Sequence, residues 1–248
     1  MTRGGLLLRF RLAISFLTIV PVKISDADES DVAASMAFFP LVGALMGLAF
    51  ALEDRVLAFA FGPVLRSALL VLSMVLLSGA VHLDGLADTA DALGAGRDRE
   101  RALDILRDSR IGAFGAIALF FALGLKTLVL SSMYGRTRIA TLILAPALAR
   151  WALVAVTYQL EYLRSNGAGS SMLGRFDARN LTIASMIAIL GVIVFHSLHV
   201  LIGYAIAVAA TIAMRSFYRR WLGGVTGDLI GACGEIVEVL VMLTMAAR

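Results

Sequence analysis

The sequence predicts an all-α protein, a polytopic integral membrane helical bundle with about seven transmembrane helices. Hydrophobic residues make up 60% of the 248 residues, and only 16% are charged. Soluble globular proteins carry about 25% charged residues, so this composition excludes an ordinary soluble domain. Apolar stretches near the ~20 residues needed to cross a bilayer recur along the chain. We therefore expect one membrane-embedded domain over residues 1–248, with a cytoplasmic catalytic loop at 83–110.

The apolar stretches define the predicted membrane spans. Their approximate ranges are 33–51, 64–82, 111–133, 139–158, 181–197, 199–214 and 229–247. The fifth and sixth spans are separated at His196–His199, because one uncharged helix over 181–214 would greatly exceed a bilayer core of about 30 Å. Ahead of the first span, Arg9 and Arg11 interrupt an apolar stretch, which predicts an amphipathic helix at the membrane interface.

The distribution of cationic residues predicts the orientation in the membrane. The N-terminus and the loops 83–110, 159–180 and 215–228 hold fifteen Lys and Arg residues, against five on the other side. Loops rich in Lys and Arg face the cytoplasm in membrane proteins. We therefore expect the polar loops, and any chemistry they carry, on the cytoplasmic face.

Three aspartates follow the second predicted span at helical spacing. Asp84, Asp88 and Asp91 stand at i, i+4 and i+7, so they share one face if the 64–82 helix continues for a few turns. Neighbouring anions repel each other, and the cost rises near lipid, so a divalent cation is the simplest explanation for the cluster. Oxygen ligands favour Mg²⁺, with Mn²⁺ as a substitute, over zinc. The alternative is a helix terminus decorated by acids.

A second acidic group lies in the last predicted span. Asp228 and Glu235 are spaced i, i+7, and Glu238 follows one turn later. Ionisable groups inside a span usually line a site or a pathway. If this helix packs beside the one that carries Asp84, Asp228 and Glu235 would complete the metal site.

Cationic residues supply candidate contacts for substrate phosphates. Lys126 and Arg150 lie in the middle of predicted spans, where they either neutralise the intramembrane glutamates or bind phosphate. Arg97 and Arg164, in polar loops, are further candidates for substrate binding. His82 precedes the acidic motif and is either a metal ligand or bonded to backbone.

The polar residues together indicate a metal-assisted transfer at phosphorus. No Ser–His or Cys–His pair is evident, and the P-loop pattern is absent. A bound Mg²⁺ would neutralise charge on the phosphates and stabilise the leaving group. One alternative is an enzyme like the CDP-alcohol phosphatidyltransferases, although their motif is not reproduced because Ala87 is followed by Asp88. The other is a cation transporter, which has no use for the charged loop. We expect no nucleic-acid partner.

Several segments resemble one known family. Residues 82–119 read HLDGLADTADALGAGRDRERALDILRDSRIGAFGAIAL. Shorter matches are FLTIVPV at 16–22, MAFFPLVGALMG at 36–47, RW at 150–151 and GDLIGACGEIVEVLVML at 227–243. These segments resemble the cobalamin synthase family, the adenosylcobinamide-GDP ribazoletransferases.

The resemblance implies a multi-span, Mg²⁺-dependent enzyme of a bacterial or archaeal cytoplasmic (inner) membrane. Its family joins adenosylcobinamide-GDP to α-ribazole or α-ribazole 5′-phosphate, which gives adenosylcobalamin or its 5′-phosphate and releases GMP. Carried across by position, the motif residues are Asp84, Asp88 and Asp91 in the acidic motif, Arg110 in the DSRIG segment, and Asp228 with Glu235 in the late GD…E segment. Two departures are Ala92, where a glycine is common, and residues 159–171, which match the family's Arg…Gly-x-Gly stretch loosely. The sequence leaves a homo-oligomer open.

Overall fold

The structure, a computed structural model, describes residues 5–96, 98–164 and 177–247. Nearly all regular structure in these ranges is helical, which confirms the predicted all-α class. The helices are α1 (Leu6–Leu17), α2 (Glu29–Ser35), α3 (Phe39–Leu57), α4 (Pro63–Ser78), α5 (Val81–Leu93), α6 (Arg99–Ile105), α7 (Ala113–Ser132), α8 (Gly135–Thr157), α9 (Ala178–Phe195), α10 (Leu198–Trp221) and α11 (Gly227–Ala246). A 3₁₀ turn, Met36–Phe38, joins α2 to α3. The two-residue strands β1 (Glu161–Tyr162) and β2 (Gly224–Val225) pair in parallel.

The number of apolar helices agrees with the predicted number of spans. Six segments of the described chain are long and apolar enough to cross a bilayer, namely Glu29–Leu57, Ala113–Ser132, Gly135–Thr157, Ala178–Phe195, Leu198–Trp221 and Gly227–Ala246. The pair α4 and α5 meets the same criterion only when taken together, which gives up to 7 spans. The break between α9 and α10 falls at His196 and Ser197, where the sequence predicted it.

The acidic motif does not continue the second span as predicted. α4 and α5 are bent by 92° relative to each other. The turn is made by Gly79 and Ala80, whose φ angles are 63° and 59°. A left-handed conformation costs a residue with a Cβ atom about 1–2 kcal/mol, so packing must hold Ala80 in place. The acids therefore lie on a separate helix, and most of the predicted loop 83–110 is helical.

α8 forms the centre of the bundle. Most of its side chains are buried, and it packs against α3 and α11. Gly43 and Gly47 of α3 face the α8 backbone so closely that a Cβ atom at either position would overlap it. Close backbone approach through small residues is a common way to pack helices in membranes.

A buried ion cluster lies at the end of the bundle away from α5. Asp54 of α3 pairs with Arg138 of α8 at 2.6 Å and with Arg66 of α4 at 3.2 Å. Arg138 also donates to the Ser67 hydroxyl and to the Leu130 carbonyl. No local sequence pattern indicates this cluster, because its partners are far apart in the chain.

Candidate active site

The acidic helix α5 presents two carboxylates that are free to bind a ligand. Asp84 is exposed and Asp88 is half-buried, and neither side chain has a hydrogen bond or ion pair within the described residues. Asp88 lies within electrostatic range of Asp84, Asp91 and Asp228, and also of the cation Arg164. The acids of two helices thus form one negatively charged cluster.

The start of α11 crosses α5 at a glycine. A Cβ atom at Gly85 would lie 2.6 Å from the carbonyl oxygen of Asp228, so only glycine permits this approach. About one turn further along α11, Gly231 lies against the backbone of His82. The inference that the last helix packs beside the acidic motif is therefore confirmed for Asp228.

The short β1–β2 pair brings a cation to this crossing. The Leu163 N–H donates to the Val225 carbonyl at 2.9 Å, which fixes the chain just ahead of Arg164. Arg164 donates to Asp228 Oδ2 at 2.6 Å and to the Leu106 carbonyl at 2.5 Å. Arg164, a predicted substrate-binding residue, therefore lies in the acidic site.

Asp228 is held through one of its two oxygens. Its Oδ2 accepts from Arg164 and from the Thr226 hydroxyl, the latter at 3.2 Å. Thr226 also caps α11 by accepting the Leu229 N–H. In the part of the chain that the structure describes, Oδ1 has no hydrogen bond. Tyr162 lies close to both charged groups, and burial raises the pKa of its hydroxyl, so it stays a neutral group at physiological pH.

Asp91 anchors the beginning of α7. Its Oδ2 accepts from the Gly112 N–H at 2.7 Å, and its Oδ1 accepts from the Gly115 N–H at 2.9 Å. The first N–H groups of a helix have no partner within the helix, and a carboxylate is favoured there by the helix dipole. A side chain at either glycine would collide with Asp91. No local pattern around Asp91, a predicted metal ligand, indicates this anchoring contact.

Arg110 is bonded outside the acidic cluster. Its side chain is 87% exposed and pairs with Asp108. The hydrogen bonds from Arg110 hold the pKa of Asp108 below its usual value. Arg110 still precedes Gly112 by two residues, so it lies next to the segment that contacts Asp91. Arg110 was predicted as a catalytic residue, whereas Arg97, the predicted substrate contact in this region, lies outside the described residues.

Lys126 and Arg150 neutralise the two glutamates of α11. Lys126 lies 2.6 Å from Glu235 and 3.4 Å from Glu238, and Arg150 lies 2.7 Å from Glu238. These side chains are only 4% to 6% exposed. This is the ion-pair role that the sequence left open for the two cations. The geometry places Glu235 in this buried network rather than with the predicted metal ligands of α5.

Similarity to known proteins extends over nearly the whole chain. The sequence pattern of the cobalamin-5-phosphate synthase family matches residues 9–246. The chain belongs to this family. Membership confirms the resemblance predicted from the motifs and identifies the chain as an enzyme of this family. It supports neither of the two alternatives, the CDP-alcohol phosphatidyltransferase and the cation transporter.

Individual members of the cobalamin-5-phosphate synthase family are similar to the chain at full length. The adenosylcobinamide-GDP ribazoletransferase of Syntrophobacter fumaroxidans is 36% identical over 241 residues, which cover 96% of this chain and 97% of that protein. The enzyme of the same name from Geotalea daltonii is 36% identical over 237 residues, or 95% and 96%. That of Escherichia coli K12 is 34% identical over 242 residues, or 95% and 98%. No solved structure matches the chain.

The free carboxylate oxygens of this candidate site are of the ligand type that Mg²⁺ prefers. No three His, Cys, Asp or Glu side chains of the described residues are already arranged around a common metal position. Mg²⁺ in phosphoryl-transfer sites is typically held by one or two carboxylates together with waters and substrate phosphates. Asp84 and Asp88 supply such a pair, and Asp228 Oδ1 lies in the same cluster.

Three residues of the candidate site were not predicted as site residues. They are Gly85, Tyr162 and Thr226. The dipeptide Asp84-Gly85 resembles a turn, so Gly85 was not predicted to lie at a helix crossing. A hint of such a crossing was present in α11, where Gly227, Gly231 and Gly234 recur at close spacing. Two glycine-bearing helices pack closely in membranes, and this pattern was the available signal. Tyr162 and Thr226 carry no sequence signal of their own.

Proposed function

We propose that the chain is an adenosylcobinamide-GDP ribazoletransferase that uses Mg²⁺. The observation that carries the proposal is the pair of carboxylates Asp84 and Asp88, which have no partner within the described residues and lie within electrostatic range of the Arg164–Asp228 ion pair. Carboxylates that hold a metal, next to a guanidinium that binds phosphate, are the parts needed for transfer at phosphorus. The names of the similar proteins supply the two substrates.

The reaction exchanges one bond at phosphorus for another. A ribose hydroxyl of α-ribazole, other than the 5′-hydroxyl and therefore also free in the 5′-phosphate, bonds through its oxygen to the phosphorus linked to cobinamide. The bond from that phosphorus to the bridging oxygen of the diphosphate breaks, and GMP leaves with this oxygen. The proton of an attacking hydroxyl is released. The products are adenosylcobalamin, or its 5′-phosphate, and GMP.

In this proposal, each residue at the crossing of α5 and α11 has a separate role. Asp84 and Asp88, with Asp228 beside them, would hold the ion. Mg²⁺, or Mn²⁺ in its place, would supply neutralisation of the charge that develops on the phosphates. Arg164 turns its fork-shaped donor group to a phosphate oxygen, for which a guanidinium is better suited than an ammonium group. Asp91 keeps α7 in place beside them.

Release of GMP tests the proposed function directly. Purified protein in lipid vesicles should release GMP from adenosylcobinamide-GDP only when α-ribazole or its 5′-phosphate is present. Release should require Mg²⁺ or Mn²⁺ and stop with a chelator, because the carboxylates alone would repel the diphosphate. A corrinoid-GDP that stays intact under these conditions, with folded protein, would refute the proposal.

We also propose that the site faces the cytoplasm of a bacterial or archaeal inner membrane. The excess of Lys and Arg in the loops near α5 and α6 supports this orientation. A cysteine at exposed Glu100, in a Cys233→Ser background, should react with a membrane-impermeant thiol reagent only after the cytoplasmic face is opened. A cysteine at exposed Arg136, on the other side, should react in intact cells. The reverse labelling pattern would contradict the orientation.

A further inference from the structure

A network of four charged side chains lies inside the bundle, below the acidic helix. Lys126 of α7 and Arg150 of α8 contact Glu235 and Glu238 of α11 at 2.6 to 3.4 Å. Two cations and two anions make the network neutral overall. The three helices are thereby tied together at one level of the bundle.

The network reaches α5 through its first turn. His82 lies within electrostatic range of Arg150, Glu238 and Lys126. A cavity of about 10 Å³, roughly the space of one water molecule, lies between the network and the α4–α5 break. Ser78 and the charged side chains line it, and Arg150 Nε is buried with no hydrogen-bond partner within the described residues. The network therefore abuts the place where the acidic helix begins.

Buried ion pairs specify an arrangement more than they stabilise a fold. The desolvation cost largely cancels the attraction, whereas a buried charge that loses its partner is strongly destabilising. α11 can therefore neither slide nor rotate without separating its glutamates from Lys126 and Arg150. Asp228 lies seven residues before Glu235 on the same helix, about 10 Å away and on the same face. The contacts of Glu235 that fix the position of α11 therefore also fix the position of Asp228.

We propose that the Lys126–Glu235 and Arg150–Glu238 network is the positioning element of the acidic site. It sets α11 against α5, so that Asp228 and Arg164 meet Asp84 and Asp88. Its four residues act as positioning residues, since their charged groups pair with one another inside the bundle. The proposal rests on the proposed metal site, and its test includes binding of metal alone.

Glu238→Gln is the first test, because it removes one charge and keeps the shape of the side chain. The affinity for Mn²⁺, measured by electron paramagnetic resonance on purified protein without substrate, should fall at least tenfold. The kcat for GMP release should also fall at least tenfold, while the KM for the corrinoid substrate changes less than twofold. Arg150→Lys, which keeps the charge, should retain most of both.

Asp54→Asn is the matched control. Asp54 of α3 pairs with Arg138 of α8. Arg138 lies on the same helix as Arg150, twelve residues or about 18 Å away. This variant should lower the unfolding temperature about as much as Glu238→Gln, but it should leave Mn²⁺ affinity and kcat near the wild-type values. If Glu238→Gln does not fold, Arg150→Met combined with Glu238→Leu leaves no lone buried charge and replaces it in the same assays.

Two outcomes would overturn the positioning role. A rise in KM with unchanged kcat and Mn²⁺ affinity would mean that the cations touch the substrate. Equal losses of Mn²⁺ affinity in Glu238→Gln and Asp54→Asn would mean that the network only stabilises the bundle. Selective loss of Mn²⁺ affinity without any GMP release by the wild type would support positioning and refute the proposed activity.

Discussion

Asp88→Asn should reduce kcat/KM for GMP release by at least about a hundredfold. The amide keeps the shape but cannot supply a charged oxygen to a metal, and loss of metal-based charge stabilisation is worth several kcal/mol, at 1.36 kcal/mol per factor of ten. Asp84→Asn should have a similar effect. The unfolding temperature should not fall in either variant, because neither carboxylate has a partner among the described residues to lose and acid repulsion decreases. Steady-state kinetics at limiting and saturating Mg²⁺, with thermal unfolding of the same samples, measure both quantities.

The matched control for these variants is Asp104→Asn. Asp104 is 77% exposed and pairs only weakly, at 3.6 Å, with Arg107, so activity should be unchanged. If Asp84 and Asp88 bind one ion, the double variant should lose much less than the product of the single losses. Normal turnover of Asp88→Asn at limiting Mg²⁺ would remove the metal site from α5.

Gly85→Ala should damage both stability and activity, although it adds a single methyl group. The added Cβ would lie 2.6 Å from the Asp228 carbonyl oxygen and 2.9 Å from its Cα atom. These are backbone atoms, so the two helices must separate, and forced overpacking typically costs about 1–3 kcal/mol. A shift of about 1 Å at a catalytic group can cost a hundredfold in rate. We expect a lower unfolding temperature and a kcat reduced about a hundredfold, measured as for Asp88→Asn.

Gly124→Ala provides the comparison for this prediction. Gly124 lies within α7, and no atom would come within 4 Å of an added Cβ. Alanine is a better helix former than glycine by about 1 kcal/mol, so this variant should be as stable as the wild type or more so. Equal behaviour of the two alanine variants would show that α5 and α11 do not cross closely.

The sequence was sufficient for the helical class, for the number of spans and for the identity of the acidic motif. These features depend on composition and on local spacing, both of which are readable along one stretch of chain. The split between α9 and α10 followed in the same way, from the excess length of the 181–214 stretch. The proximity of Asp228 to α5 could also be predicted from the sequence, because isolated acidic side chains near lipid need partners.

Other features depend on contacts that local patterns do not encode. The pairing of Lys126 with Glu235 joins residues 109 positions apart, and the sequence offered a phosphate as an equally good partner. A glycine at position 85 is compatible both with a turn and with a close helix crossing, and the sequence does not distinguish the two. The bend at Gly79 and Ala80 was hidden in a continuous apolar stretch, because alanine at a left-handed position is uncommon and tertiary packing overrides its helical preference.

That bend determines the depth at which the acids sit in the membrane. On one continuous helix, successive aspartates of the motif would climb by about 10 Å from Asp84 to Asp91, from the apolar layer into the solvent. If α4 crosses the bilayer along its normal, a helix at 92° to it lies along the membrane surface, and all three carboxylates stand at one level. A bulky, water-soluble corrinoid would then reach them sideways, from the aqueous phase. Such an enzyme would need no channel through its bundle, and its product would leave without entering the hydrocarbon.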